Sequence, residues 1–292
     1  MSIKLLLTDN RNALGRALEH ELERESFNLL VPGEEVLDWQ KPDAIVDYVR
    51  RNKPDLVINS RAWEDIPNER QQAELPRVAA ALASACAPTR VPLIQFSSYK
   101  VFGADNKSIH SEKDLPAPTS DIGRAFLAAE QALEGLEKHI CLRLSWVVGS
   151  YGQNHLTRLL NGLLAAPETK VEVSERLRGA PTPLSDVARV AVALAKQVGC
   201  GAENWGVMHY CSGESSTEAE FAAQVVQTLQ QLKVAGEGVG LSLTDLVPET
   251  EPISAVLICR RVRDYFGVQA RPWRPSLLPM IRQWLHTHQD QA

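Results

Sequence analysis

The chain has 292 residues, 44% of them hydrophobic and 23% charged, which suits one large α/β domain or a main domain with a smaller appendage. Its formal net charge of −5 excludes a general attraction to nucleic acid or to anionic lipid surfaces. The five scattered cysteines include no C-x-x-C pair, the amino terminus turns polar too soon for a signal peptide, and no apolar run reaches membrane-spanning length, so we expect a cytoplasmic protein with reduced thiols.

Strands and helices are predicted to alternate through the first half of the chain. Short apolar runs without a helical period indicate buried strands, and amphipathic stretches indicate the helices between them. The predicted strands are residues 3–7, 27–31, 54–60, 91–98 and 139–149, and the predicted helices are residues 13–25, 41–52, 69–87 and 119–137. Pro76 is expected to kink the third helix or to mark its true start. The alternation predicts an α/β fold with a Rossmann-type doubly wound parallel sheet, whose ligands lie at the carboxyl ends of the strands.

The second half of the chain has weaker strands and more helix. Amphipathic helices are predicted at residues 152–166 and in the terminal stretch 275–288. We therefore expect residues 1–150 to form a Rossmann-like domain, to which later segments return, and residues 151–292 to form mainly a small carboxyl-terminal α/β lobe. The lobe is expected to pack over the carboxyl edge of the sheet and to leave a cleft.

Several segments occur together in an order and spacing typical of one enzyme family. They are "KPDLVINS", "IQFSSYKVFG", "GRAFLAAEQAL", "RLSWVVG", "GAPT" and "GVMHYCSGESSTEAEFA". Together they resemble dTDP-4-dehydrorhamnose reductase, an extended short-chain dehydrogenase/reductase that uses NADPH or NADH. The resemblance covers nearly the whole chain. It implies a Rossmann domain that carries the cofactor and a small carboxyl-terminal lobe that carries the nucleotide sugar.

The family's glycine-rich turn after the first strand, usually G-x-x-G-x-x-G, lets the backbone approach the cofactor pyrophosphate at a helix N-terminus. The matching stretch here is "DNRNALG", with Asp9 and Asn12 at the first two glycine positions and only Gly15 retained. A carboxylate beside a diphosphate costs on the order of 1 kcal/mol, so we expect Asp9 to cap the following helix and to repel a dinucleotide. The alternative is a compensating charge from Arg11 or Arg16.

Two further departures concern the cofactor channel and the nucleotide-sugar site. Arg61 and Trp63 stand in "NSRAWED", where the family usually has small alanines, and we expect these side chains to fill the adenosine–ribose channel. The family's Arg-Pro pair near the nucleotide sugar is absent around "ISAVLICRR". These departures predict that no cofactor binds, or that NAD(P) binds only weakly at the degenerate turn and Arg61, and they disfavour nucleotide-sugar binding.

The family's catalytic residues are a serine or threonine, a tyrosine and a lysine. The resemblance implies that the tyrosine exchanges a proton with the substrate carbonyl oxygen, that the lysine lowers the tyrosine pKa, and that the hydroxyl residue orients the carbonyl. Ser98 matches the hydroxyl position, but Ile122 and Phe126 stand at the tyrosine and lysine positions. No Y-x-x-x-K occurs anywhere in the chain. One helical turn separates Ile122 from Phe126, so we expect them to close the pocket with apolar packing.

A relocated acid–base pair is the alternative, because Tyr99 and Lys100 follow Ser98 directly. Alternate side chains on a strand face opposite ways, so both can reach one substrate only if the strand has already ended. We expect instead a loop edge with an exposed lysine.

One positive feature of the sequence is a run of arginines interleaved with aromatic residues. The candidate partner-binding residues in this run are Arg260, Arg261, Arg263, Arg271, Trp273 and Arg274. The run is typical of a solvated face held by salt bridges. The alternative is a docking surface for an anionic partner, for which arginine and tryptophan provide directed hydrogen bonds and contact area; an acidic protein is favoured over RNA.

The absent Y-x-x-x-K favours a non-catalytic member of the resembled family that acts as a binding or regulatory subunit with a protein partner. The alternative, from a different functional class, is an NAD(P)-dependent nucleotide-sugar reductase with an atypical active site. The sequence predicts no metal site, and it is compatible with an oligomer.

Overall fold

The observed secondary structure follows the predicted alternation. The computed structural model describes residues 2–103, 105–165, 170–234, 239–249 and 251–289. In chain order the elements are β1 (Ile3–Leu7), α1 (Ala13–Leu22), β2 (Phe27–Leu30), α2 (Pro42–Asn52), β3 (Leu56–Asn59), α3 (Glu69–Cys86), β4 (Leu93–Ser98), α4 (Asp121–Gln131), β5 (His139–Leu144), β6 (Val147–Val148), α5 (His155–Ala165), β7 (Val171–Ser174), β8 (Arg178–Gly179), β9 (Thr182–Pro183), α6 (Leu184–Gly199), β10 (Gly206–Tyr210), β11 (Ser216–Thr217), α7 (Glu218–Gln231), β12 (Leu241–Thr244), α8 (Arg260–Phe266) and α9 (Arg274–Gln289). Each element of the first half lies within its predicted range.

The main sheet confirms the predicted Rossmann-type architecture. Six strands lie in the order β10–β5–β4–β3–β1–β2, and every neighbouring pair is parallel. The chain moves outward from β1 to β2 on one side and continues through β3 on the other, so the strand order reverses beside β1. Such a reversal opens a crevice at the carboxyl ends of the strands, which is where ligands bind in open α/β sheets.

Pro76 does not mark the start of the third helix, so that alternative is wrong, whereas the expected kink stays a prediction. Helix α3 begins at Glu69, is capped by the Asn68 side chain and continues through Pro76 to Cys86. The residues that follow the proline, including Val78 and Leu82, are fully buried. Their packing against the sheet outweighs the backbone hydrogen bond that a proline cannot make.

A buried polar network fixes the carboxyl edge of three adjacent strands. The Thr8 hydroxyl donates to Asn59 Oδ1 at 2.8 Å, and Asn59 Nδ2 donates to Gln95 Oε1 at 2.7 Å. The backbone amides of Ser60 and Arg61 also donate to the Thr8 hydroxyl, each at 3.0 Å. Because each group is fully buried or nearly so, the network holds the loop after β3 against the end of β1.

A second core lies in the carboxyl-terminal lobe, where α5, α7 and α9 pack together with β7. Helix α6 and strand β10 instead return to the main sheet: α6 packs on α1, and β10 is an edge strand beside β5. None of the described helices is long and apolar enough to cross a membrane.

The structure contradicts one of the predicted partner-binding residues. Trp273 is fully buried in the core of the lobe, with its ring centroid 5.3 Å from that of Phe221 in an edge-on arrangement. A side chain with no exposed surface cannot dock a partner, so the prediction for Trp273 is wrong. It anchors the start of α9 to α7.

Trp273→Ala is expected to lower the free energy of unfolding by about 3–5 kcal/mol, because it leaves a cavity the size of an indole. Denaturant unfolding measures the loss. Tyr265→Ala is the matched control: its side chain is 45% exposed, and it should change stability by less than about 0.5 kcal/mol. Equal effects in the two variants would contradict the anchoring role.

Candidate functional site

Strand β4 ends at Ser98, and this ending decides how the next residues are placed. Tyr99–Val101 form a single 3-10 turn, and the Ser98 side chain accepts a hydrogen bond from the Lys100 amide at 3.3 Å. The alternation of side chains along a strand therefore stops before Tyr99. The expectation of an exposed lysine is wrong, because Tyr99 is fully buried and Lys100 is 1% exposed.

Tyr99 and Lys100 meet each other and share a third partner. Lys100 Nζ donates to the Tyr99 hydroxyl at 2.9 Å, and the hydroxyl donates to Glu251 Oε2 at 2.9 Å. Lys100 Nζ also contacts Glu251 Oε1 directly. Glu251 is not among the site residues predicted from the sequence; the signal available for it is an acidic residue directly before Pro252, beside the stretch where the family's Arg-Pro pair is absent.

The charges in this triad follow from burial and proximity. Burial raises the pKa of Tyr99 well above its usual range, and the nearby Glu251 and Asp65 carboxylates raise it further. Burial also favours the neutral form of Glu251, but the charge of the Lys100 ammonium, together with the hydrogen bonds from Lys100 and Tyr99, outweighs burial and lowers the pKa of Glu251. At neutral pH the triad is a protonated tyrosine hydrogen-bonded to an ion pair.

Asp65 and His155 lie beside the triad as a second buried pair. Asp65 Oδ1 accepts from the Val147 amide at 3.1 Å, while Asp65 Oδ2 and His155 Nε2 lie 3.8 Å apart without a hydrogen-bond partner. Burial raises the pKa of Asp65 to about 7 and lowers that of His155 to about 3. The proton therefore stays on the carboxyl, and the histidine is neutral. Asp65 lies in the stretch "NSRAWED", which the sequence singles out, but no sequence signal indicates that His155 lies beside it.

At the two positions that the family uses for tyrosine and lysine, the side chains make only apolar packing contacts. Phe126 is fully buried, and Ile122 is partly buried against the same core. Helix α4 lies directly on the 3-10 turn, since a Cβ at Gly123 would come within 2.1 Å of the Lys100 carbonyl oxygen. The tyrosine and lysine of this chain are thus found together at the end of β4 and not at the two family positions on α4.

At the degenerate glycine turn, the helix cap is a different residue from the one predicted. Asn12 caps α1: its Oδ1 accepts from the Gly15 amide at 2.7 Å, and its backbone is extended. Asp9 instead accepts from the Arg11 backbone amide at 2.9 Å and lies near the Arg11 side chain, so the expectation that Asp9 caps the helix is wrong. Gly15 keeps its steric role, because a Cβ there would come within 2.0 Å of the Asp9 carbonyl oxygen.

Arg61 is the buried centre of a charge network beside the degenerate glycine turn. Its side chain is 6% exposed; it contacts Glu74 at 2.6 Å, Glu34 at 3.0 Å and Asp9 at 3.8 Å. A concavity of about 320 Å³ lies between these residues. Arg61 therefore borders the cleft, whereas Trp63 turns into the core, where it packs near Phe96 and donates to the Ser97 carbonyl at 3.4 Å. The prediction that the Trp63 side chain fills the adenosine–ribose channel is therefore wrong.

The remaining arginines of the candidate partner surface form separate local contacts. Arg261 donates to the Val207 carbonyl at 2.6 Å. Three other arginines form ion pairs: Arg263 with Asp264 at 2.9 Å, Arg271 with Asp186 at 3.5 Å and Arg274 with Glu214 at 3.3 Å. This pattern fits the expected solvated face held by salt bridges. A docking role for these arginines stays a prediction.

Comparison with known proteins identifies the family. The sequence pattern of the family described as "RmlD substrate binding domain" matches residues 3–285, so the chain belongs to this family. A dTDP-4-dehydrorhamnose reductase of Sinorhizobium fredii is 25% identical over 96% of this chain and 97% of its own length.

Two solved structures share the fold. The dTDP-4-dehydrorhamnose reductase of Bacillus anthracis, in complex with NADP, has a TM-score of 0.79 at 20% identity and covers 97% of this chain and 99% of its own. The Bordetella bronchiseptica enzyme WbmG, in complex with NAD and UDP, has a TM-score of 0.80 at 17% identity and covers 99% of this chain and 96% of its own.

These comparisons overturn two expectations from the sequence. The prediction of a non-catalytic binding or regulatory subunit is wrong, because the full-length relatives are reductases. The prediction that no cofactor binds is wrong as well, because structures that share the fold along nearly the whole chain hold NADP or NAD. The findings favour the alternative, a nucleotide-sugar reductase with an atypical site.

As the pH rises from about 4 to about 7, the Asp65→Asn variant is expected to become more stable relative to the natural chain. The folded chain keeps the Asp65 proton up to a pH of about 7, whereas an unfolded chain releases it near 3.8, so this contribution to stability is lost as pH rises through the window. Asparagine has no proton to lose, and the difference in unfolding free energy should grow by up to about 1.4 kcal/mol per pH unit.

Urea unfolding at intervals across that window measures the effect. Asp121→Asn is the control, because its side chain is 85% exposed and its difference from the natural chain should stay flat. A flat difference for Asp65→Asn as well would show that the Asp65 carboxyl is not buried as described.

Proposed function

We propose that this member of the RmlD substrate-binding family is an NAD(P)-dependent oxidoreductase that acts on a keto group of a nucleotide-linked sugar, with Tyr99 as its proton donor. The observation that carries the proposal is the convergence of the Tyr99 hydroxyl and the Lys100 ammonium on one carboxylate. The convergence lies beside Ser98, at the carboxyl end of β4, which is the edge of an open α/β sheet where ligands bind.

The Glu251 carboxylate marks the position of a substrate oxygen. Its Oε2 accepts a hydrogen bond from the Tyr99 hydroxyl, as the carbonyl oxygen of a keto sugar would during reduction. The two donors converge on one carboxylate, one at each of its oxygens, and together they would also stabilise the negative charge that develops on a substrate oxygen there. The substrate must therefore displace Glu251, and the two compete for the same donors.

Displacement of Glu251 would also change the acidity of Tyr99. The Glu251 carboxylate is one of the groups that raise the pKa of Tyr99, and its departure leaves the Lys100 ammonium 2.9 Å from the hydroxyl. A nearby positive charge favours the ionised form and lowers a tyrosine pKa. Lys100 would thus help Tyr99 to release its proton only when the substrate is in place.

The charge network around Arg61 suits the diphosphate and ribose of a dinucleotide. Arg11, Arg61 and Arg70 line the concavity and face three carboxylates there, those of Asp9, Glu34 and Glu74. A diphosphate would accept charge-assisted hydrogen bonds from these arginines in exchange for part of their present carboxylate contacts. Glu34 follows β2, where an acidic residue accepts hydrogen bonds from the ribose hydroxyls in Rossmann domains. A bound reduced nicotinamide would supply the hydride; Tyr99 would deliver the proton to the substrate oxygen, and Lys100 would stabilise the resulting tyrosinate.

The chain is expected to bind NADH more tightly than NADPH, by about tenfold, because the Glu34 carboxylate repels a 2′-phosphate. Titration calorimetry with both cofactors measures the ratio. Glu34→Gln should reduce the preference, whereas Glu35→Gln, a change to the neighbouring exposed carboxylate, should leave it unchanged. Equal ratios for the natural chain and Glu34→Gln would contradict the placement of the ribose, and the absence of any binding would contradict the cofactor assignment.

Tyr99→Phe is expected to reduce kcat about 10²–10⁴-fold with little change in KM, because only the proton donor is removed. The loss of NADH absorbance with dTDP-4-dehydrorhamnose, the substrate in the name of the Sinorhizobium fredii relative, measures the rate. Tyr265→Phe is the control, since it removes a hydroxyl from an exposed tyrosine of α8. Turnover that survives in Tyr99→Phe, or no turnover in the natural chain, would contradict the proposal.

A further inference from the structure

Cys211 and Cys259 form the closest pair of thiols in the described part of the chain. Their sulfur atoms lie 3.5 Å apart, and the Cys211 amide donates to Cys259 Sγ at 3.2 Å. Cys211 directly follows β10, and Cys259 is the residue before α8. The pair is separate from the Tyr99–Lys100–Glu251 triad and from the Arg61 network, and the proposed reaction does not use it.

We propose that Cys211 and Cys259 form a reversible disulfide. A disulfide needs its sulfur atoms about 2.05 Å apart, so the two must approach each other by roughly 1.5 Å. Cys259 has room to move, because it borders a concavity of about 380 Å³. It also lies at the end of the irregular segment 251–259 and not inside a helix or strand.

The remaining cysteines offer no comparable partner. Cys86 and Cys141 are fully buried or nearly so, and Cys200 is exposed; none of the three makes a sulfur–sulfur contact in the described residues. Of the five cysteines, only Cys211 and Cys259 therefore have a sulfur neighbour. An oxidant reaches the pair through Cys259, which is partly exposed, because Cys211 is buried.

The concavity beside Cys259 favours an anionic oxidant. Arg260 and Arg263 line it together with Cys259. Arg263 is paired with Asp264, whereas the Arg260 side chain is exposed and has no counter-ion among the described residues. A small disulfide that carries carboxylates, such as oxidised glutathione, would be attracted to this surface.

The exchange proceeds in two balanced steps. The Cys259 thiolate attacks one sulfur of oxidised glutathione, forms a mixed disulfide and releases one glutathione thiolate. The Cys211 thiolate then attacks Cys259 Sγ, forms the internal disulfide and releases the second glutathione thiolate. The two protons of the protein thiols end on the two glutathione molecules, so the protein loses two electrons and two protons and the oxidant gains them.

The hydrogen bond between the two thiols prepares the pair for this exchange. It lowers the pKa of Cys211, and it raises that of Cys259. Cys211 is thus the thiol that ionises first, and its thiolate is the attacking group of the second step. In the first step, Cys259 attacks from the minor form in which Cys211 holds the proton. The thiolate is the form that attacks a disulfide.

The experiment uses the full chain with Cys200→Ser, which removes the exposed thiol and its adducts. We expect oxidised glutathione to give a product about two daltons lighter than the reduced chain, reversed by dithiothreitol. Peptide mapping without reductant should find Cys211 joined to Cys259. The new bond closes a long loop, so the melting temperature should rise by about 5 °C.

A second variant separates the two steps. Cys211→Ser in the Cys200→Ser chain should stop at the mixed disulfide, with glutathione attached to Cys259 and no rise in melting temperature. Cys259→Ser should take up no glutathione. The proposal is overturned if the Cys200→Ser chain keeps its mass under an oxidant that modifies Cys200 in the natural chain, or if it stops at a mixed disulfide, or if mapping joins other cysteines.

Discussion

A buried ammonium requires a buried counter-charge, and this constraint organises the candidate site. Lys100 is 1% exposed, and removal of such an ion from water costs several kcal/mol unless a carboxylate compensates. Glu251 provides the carboxylate from 151 positions further along the chain. The ion pair thus holds the segment that leads to α8 over the end of β4, it keeps Tyr99 protonated, and it occupies the place that the proposed substrate oxygen would take.

The same reasoning explains how the cleft tolerates a turn with a single glycine. Asp9 is a liability beside a diphosphate only when nothing offsets its charge, and Arg11 and Arg61 both lie near it. Gly15 keeps the close approach of α1 to the turn, so the backbone geometry of the family remains while the electrostatics differ. In the proposed function, the cleft recognises anions through arginine side chains, where the family relies on backbone amides.

The sequence by itself determined the fold and the positions at which this chain departs from its family. Apolar runs, amphipathic stretches and punctuation by proline and glycine are local properties, and they predicted each strand and helix of the first half. The absence of Y-x-x-x-K and the substitutions in "DNRNALG" are also visible in the sequence. The signal for Glu34 was available in the same way, as an acidic residue soon after the second strand.

Only the tertiary structure decided which side chains meet. Tyr99 and Lys100 face each other because β4 ends at Ser98, and hydrogen bonds between strands set that ending. Glu251 reaches Lys100, and Cys259 reaches Cys211, across long stretches of chain. Packing likewise placed Trp273 in a core and left Arg260 in solvent, although both stand in one run of arginines and aromatics. Contacts between distant residues depend on how whole elements pack, and no local pattern of residues encodes them.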